Sequence, residues 1–281
     1  MTTAELHDGN TVELTVQGTG PTVLLPVDPA PADPAKAEEL RRWGMDPELG
    51  RTLVNGLADV FTVVAFPYEA HVMAHPKPAT LTPANIAADF LAVADAAGAA
   101  RFAYYGYSWL ALSGLQLALR TDRLDALVMG GFPPQGGPYA EMLRVTNATH
   151  DMSGGTPKPP AAPSGGEEFD WSAAEVTLSK DQTRQFVTLY EALDGFDDRA
   201  AQSRLTLPRL CFAGSADTIV YGEKWGGVTV DIAGATNTNR PSLEAAGWEV
   251  EILDGLDHTA AMQPGNALPV LRPWLEARLT G

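Results

Sequence analysis

Residues 102–120 constrain this chain more than any other stretch. Phe102-Ala103-Tyr104-Tyr105 is a short apolar, aromatic run of the strand-forming kind, and Gly106-Tyr107-Ser108 carries it at once into a helix-like segment, Ala111 to Arg120. A strand that enters a helix with no loop between them needs a sharp turn. Gly106 suits that turn, because a side chain there would collide with the tightly folded backbone. The turn leaves the Ser108 hydroxyl exposed at the tip of a sheet. A Gly-x-Ser triplet is common in ordinary turns, so its meaning depends on what the rest of the chain supplies.

The rest of the chain alternates short apolar runs with segments of helical period. Thr22–Leu25, Phe61–Phe66, Phe102–Tyr105, Ala126–Met129, Arg209–Ala213 and Trp248–Leu253 suit central strands, and Val12–Val16 alternates like a half-exposed edge strand. Between them, Thr82-Pro83 provides an N-cap with proline at the first helical position, Gly98 closes that helix, and Ile86, Phe90 and Val93 share its inward face. This order predicts an α/β fold: a mostly parallel, doubly wound sheet covered by helices on both sides.

Residues 133–207 interrupt that rhythm. Ser153 to Gly166 is rich in Gly, Pro, Ser and Ala and reads as a mobile excursion. After it, Ser179 and Gln182 form a capping-box pair that starts a helix bearing Phe186, Val187, Leu189, Tyr190 and Leu193, closed by Gly195. The domain reading is a core of residues 1–132 and 208–281, with an insertion of residues 133–207.

An aspartate, Asp217, follows the Arg209 strand, and a histidine, His258, follows the last strand. With Ser108 earlier in the chain, the order is Ser, then Asp, then His. That is the order of the α/β-hydrolases, and the chain resembles this superfamily over nearly its whole length. The resemblance implies that Ser108 is a nucleophile, that His258 takes its proton, and that Asp217 holds the imidazole in the useful tautomer. Among the five histidines, only His258 follows the final strand. His71 and His75 lie in the stretch after the Phe61 strand, expected as a loop, and His7 and His150 lie near the terminus and in the insertion. Asp257 and Asp254 are nearer to His258 in sequence than Asp217. Adjacent side chains rarely face each other well, and Asp254 suits a turn before Gly255.

The resemblance also implies an oxyanion hole made of backbone N–H groups. Trp109, the residue after the nucleophile, would supply one. The second would come from the stretch Leu24-Leu25-Pro26-Val27-Asp28-Pro29, where Asp28 falls on the donor position and Val27 is the fallback. Pro26 and Val27 stand where the family commonly has His and Gly, so a carboxylate arrives close to the site. Leu110 stands where a small residue is usual, and Pro67-Tyr68-Glu69-Ala70-His71-Val72 lacks the glycines of the family's loop. Tyr107 and Trp109 are near enough to the serine to line a substrate pocket. The insertion occupies the place of the family's cap, and it is expected to be a small helical lid.

Composition narrows the functional classes. With 19 Lys+Arg against 35 Asp+Glu the formal net charge is -16, which repels nucleic acid and anionic membrane. Cys211 is the single cysteine and lies in an apolar run, so it reads as a small buried hydrophobe. Neither a leader-like N-terminus nor a membrane-length apolar run is evident, so a cytoplasmic enzyme is expected. There is no supported metal-ligand cluster, Walker loop or dinucleotide fingerprint, and no cofactor or metal is expected. The expected partner is a small acyl molecule, with self-association left open. The expected chemistry is hydrolysis of a carboxylic ester, lactone or thioester through an acyl-serine. Two alternatives stand beside it: the same triad in an acyltransferase, cyclase or lyase, and a non-catalytic small-molecule receptor.

Overall fold

The apolar runs form strands shielded from water on both faces. Val23, Leu24, Leu25, Val63 and Ala65 are all 0% exposed, the state expected of parallel strands sandwiched between helices. The computed structural model describes residues 2–42, 44–154 and 177–280. Its strands run β1 (Thr2–Glu5), β2 (Thr11–Gln17), β3 (Thr22–Leu25), β4 (Thr62–Ala65), β5 (Phe102–Tyr107), β6 (Leu124–Gly130) and β7 (Arg209–Gly214). A separate hairpin of β8 (Thr218–Val220) and β9 (Thr229–Asp231) follows, then β10 (Trp248–Leu253). Eight of them form one sheet in the order β1-β2-β4-β3-β5-β6-β7-β10. The pairs β1–β2 and β2–β4 are antiparallel and all others in this sheet are parallel.

Eleven helices are assigned among the described residues: α1 (Pro34–Arg42), α2 (Leu49–Leu57), α3 (Tyr68–Ala74), α4 (Pro83–Ala96), α5 (Trp109–Ala118), α6 (Tyr139–Met152), α7 (Lys180–Glu191), α8 (Asp198–Ala201), α9 (Ile232–Ala245), α10 (His258–Met262) and α11 (Pro264–Leu279). Alternation along the strands feeds two cores. Leu24, Phe102 and Tyr104 face one core with α4, α5 and α9, whereas Val23, Leu25, Tyr105 and Tyr107 face the other with α2 and α11. The sheet is therefore covered on both sides. Helix ends follow the expected chemistry: the Thr82 side chain accepts from the Asn85 N–H, Ser179 and Gln182 form a capping box, and Gly98 and Gly195 adopt positive φ of 70° and 72°.

Three local expectations are corrected. The run Val12–Val16 is not an edge, because β1 adds outside it and β2 pairs on both sides. The stretch after β4 is a helix, α3, rather than a loop, so His71 lies on a helix and His75 caps its end. The strand expected over Ala126–Met129 begins at Leu124 and ends at Gly130. Of the Gly- and Pro-rich run 153–166, residues 155–166 lie outside the described residues. Among the described residues no helix is long and apolar enough to cross a membrane.

Candidate active site

The turn between β5 and α5 carries the strongest local constraint in the backbone. Ser108 has φ 56° and ψ −128°, and among the described residues no other non-glycine has positive φ. Such a conformation costs on the order of 1–3 kcal/mol and persists only when its surroundings enforce it. Here they do. Leu112, Leu115 and Leu117 of α5 are each 0% exposed, and burial of each such side chain contributes about 1.5–3 kcal/mol. The Ser108 N–H donates to the Gly130 carbonyl over 2.8 Å, and the Ser108 carbonyl accepts from the Ala111 N–H over 2.9 Å.

Leu110 is accommodated because the close approach of helix and strand falls on glycines. A Cβ on Gly106 would lie 2.4 Å from the Leu110 carbonyl oxygen, and one on Gly114 would lie 2.5 Å from the Tyr104 ring. The Tyr104 hydroxyl donates to that Leu110 carbonyl over 2.8 Å. Backbone meets backbone at Gly106 and the Tyr104 ring fits against Gly114, so the bulk at position 110 does not obstruct the crossing.

Asp217 and His258 come together at the carboxyl end of the sheet. Asp217 follows β7, is 0% exposed, and places its two oxygens 3.0 and 2.9 Å from His258 Nδ1. A carboxylate accepts, so Nδ1 is the donor in this contact. Gly214 makes the approach feasible, since a Cβ there would lie 2.0 Å from the Leu256 carbonyl oxygen. Two backbone bonds join the loops: Ser215 N–H to the Leu253 carbonyl and Ala216 N–H to the Leu256 carbonyl, both 2.9 Å. The nearer aspartates are engaged elsewhere. Asp257 caps α10 by accepting from the Ala260 N–H, and Asp254 lies 3.5 Å from the Ser215 hydroxyl.

The expected oxyanion donors are placed as follows. Trp109 is the first residue of α5, where a backbone N–H has no partner within the helix. The Val27 N–H is occupied by the Leu25 carbonyl at 2.8 Å. The Asp28 carboxylate accepts from the Ala30 N–H at 2.9 Å, so it is turned into its own loop. The Trp109 ring packs against Tyr68 of α3 and Phe186 of α7, with centroids 6.2 and 5.4 Å away.

The remaining histidines serve other contacts. His7 binds Asp89 through Nδ1 and Thr80 through Nε2, and His150 binds Thr183. His71 is buried, its Nε2 has no hydrogen-bond partner among the described residues, and burial, with Lys77 and His75 nearby, lowers its pKa. Among the described residues no group of three or more His, Cys, Asp or Glu side chains is placed to hold a metal ion.

No protein-family model matches the chain. No curated protein matches it either. Solved structures do, over almost their full length. The enol-lactonase from Burkholderia xenovorans LB400 is similar with a TM-score of 0.56 at 18% identity, covering 97% of this chain and 99% of that one. A thermophilic esterase from Thermogutta terrifontis gives 0.57 at 14% identity, covering 99% and 98%. A bromoperoxidase from Bacillus anthracis gives 0.57 at 14%, covering 98% and 99%. The chain has the α/β-hydrolase fold.

Two features of this hydrolase fold were not legible in the sequence. One is the Tyr107 hydroxyl, which donates to the His258 backbone carbonyl over 2.7 Å across 151 positions of chain. The other is Glu69 on α3, whose side chain stays accessible although protein crowds it. Desolvation raises its carboxyl pKa, against an opposing pull from the Trp109 indole N–H. That N–H is buried and has no hydrogen-bond partner among the described residues. Both links are long-range in sequence, and no local pattern marks them.

Proposed function

We propose that the protein is a serine hydrolase that cleaves a carboxylic ester, lactone or thioester through an acyl-serine intermediate. The observation that carries this reading is the buried Asp217 carboxylate held on His258 Nδ1, on the same sheet edge as a serine in a strained strand-to-helix turn. In this reading His258 Nε2 accepts the Ser108 hydroxyl proton as the oxygen attacks the substrate carbonyl carbon. The negative oxygen of the tetrahedral intermediate is met by the backbone N–H groups of Trp109 and Asp28. His258 returns the proton to the leaving group, and water then repeats the sequence on the acyl-serine. Asp28 is preferred to Val27 as the second donor because the Val27 N–H already has a partner.

Residues 133–207 are assigned as the cap over this site. Support comes from α7, whose Phe186 meets Trp109 and whose Gln182 and Gln185 side chains donate to the Met73 and Val72 carbonyls of α3. Phe186 of the insertion and Tyr68 of the core thus both meet the Trp109 ring, which supports this reading.

Turnover of a short-chain chromogenic ester by Ser108→Ala and His258→Ala tests the reading. Both variants should lose on the order of 10⁴-fold or more in kcat, because triad members act as a unit. Substantial activity left in His258→Ala would move the base to His71 or His75.

A further inference from the structure

Tyr107 stands between the nucleophile and the base, and the contacts it makes with each are of different kinds. Its backbone continues directly into Ser108. Its side chain leaves the sheet on the opposite face from Tyr104 and enters the core shared with α11, at the point where α10 begins. There the hydroxyl donates to the His258 carbonyl over 2.7 Å, and the ring lies 5.1 Å from the imidazole at 55°.

Three neighbouring residues are shaped to keep the ring there. A Cβ on Gly130 would fall 2.5 Å from Tyr107 Cδ2, and one on Gly131 would fall 2.5 Å from Cζ and 2.9 Å from His258 Cε1. Gly131 also has φ 62°, a conformation that side chains rarely adopt. Phe212 of β7 closes the other side, 6.0 Å from the Tyr107 ring. The side chain is only 9% exposed, and burial pushes its pKa well up, so the hydroxyl remains a neutral donor. Packing on this scale holds the phenol in one rotamer.

We infer that Tyr107 is a positioning residue that sets the separation of Ser108 and His258, by fixing the histidine's backbone while Asp217 fixes its ring. This inference rests on the serine-hydrolase reading above. The two anchors are complementary. Asp217 restrains rotation of the imidazole at Nδ1 but not a shift of the start of α10 along the sheet edge, which the bond from the Ala216 N–H to the Leu256 carbonyl limits only two residues upstream. The Tyr107 hydroxyl restrains that shift, and its own backbone is one residue from the nucleophile. A displacement of about 1 Å between reacting groups can cost on the order of 10²-fold in rate, so this anchor has kinetic leverage without touching substrate.

The test is Tyr107→Phe, which keeps the ring in its glycine-lined slot and removes only the hydroxyl. Steady-state kinetics on one neutral ester, normalised to active sites, should show kcat reduced about tenfold to a hundredfold with KM within about twofold. The melting temperature should stay near that of the parent, so the loss tracks geometry rather than unfolding. An unchanged kcat per active site would overturn the inference. So would a raised KM with kcat intact, because that pattern marks a substrate contact. Ser108→Ala, measured beside it, separates the positioning role from the hydrolase reading. A dead Ser108→Ala with a fully active Tyr107→Phe removes only the positioning role, whereas an active Ser108→Ala removes the hydrolase reading on which it rests.

Discussion

The residue that departs most from the family's pattern is Asp28, a carboxylate at a proposed oxyanion donor, where an anion would oppose the proposed reaction. Its side chain accepts from the Ala30 N–H at 2.9 Å, which turns its charge into the loop and leaves the backbone N–H as the contribution to the proposed oxyanion hole. Asp28→Ala should therefore keep kcat on a neutral ester within about threefold of the parent, while a loss on the order of 10²-fold or more would place the side chain in the chemistry. Cys211 shows the converse case, a reactive group type made inert by its surroundings. It is 1% exposed in β7 and burial pushes its thiol up to about 12, which matches its reading from an apolar run. Tyr107 and Glu69 mark the limit of such reading. The Tyr107 hydroxyl meets His258 far away in the chain, the Glu69 carboxyl is raised by burial, and sequence spacing carries no record of either.

Among the elements, the strands of the parallel sheet were legible because burial on both faces demands continuous apolar runs. The elements that escaped had weaker signatures. β1 is four residues long and only Ala4 of it is buried, so it has no alternation to detect. α3 starts after Pro67 without a side-chain cap, and its glycine-free sequence resembled a divergent loop. Both missed elements belong to one assembly. The β1–β2 turn places His7 on Asp89 of α4 and Asp8 on Lys77, while Tyr68 of α3 donates to the same Asp89 over 2.6 Å. The Lys77 side chain is fully buried and that of Asp8 is 21% exposed. Removing one partner of a buried pair costs about 3–5 kcal/mol and an exposed pair is worth about 0–1, so Asp8→Ala should cost on the order of 2 kcal/mol at pH 7. Burial raises the Asp8 pKa, but hydrogen bonds from Lys77 and Asn10 outweigh it and hold the carboxyl well below its ordinary 3.8. A lowered folded-state pKa means the contribution is complete above 3.8 and is lost as pH falls toward the folded value. Denaturant midpoints should thus show a constant gap between parent and Asp8→Ala from neutral pH down to about 5, narrowing in stronger acid. A gap that widened in acid would contradict the assignment.

At the scale of the whole molecule, the sheet brings to one edge three residues separated by 109 and 41 positions: Ser108, Asp217 and His258. Parallel strands make that convergence natural, since β5, β7 and β10 end on the same side and each is followed by one of the three. The order Ser, Asp, His was legible in the sequence because it depends only on strand order. The meeting of Asp217 with His258 needed the Gly214 contact, which is a matter of packing. The fold by itself does not set the chemistry, and the account stands on the nucleophile. Reaction of the native protein with a fluorophosphonate, followed by peptide mapping of the adduct, tests that claim most directly. One covalent adduct per chain is expected on Ser108, abolished in Ser108→Ala. An adduct on another serine, or an esterase-active protein that takes no label, would contradict it.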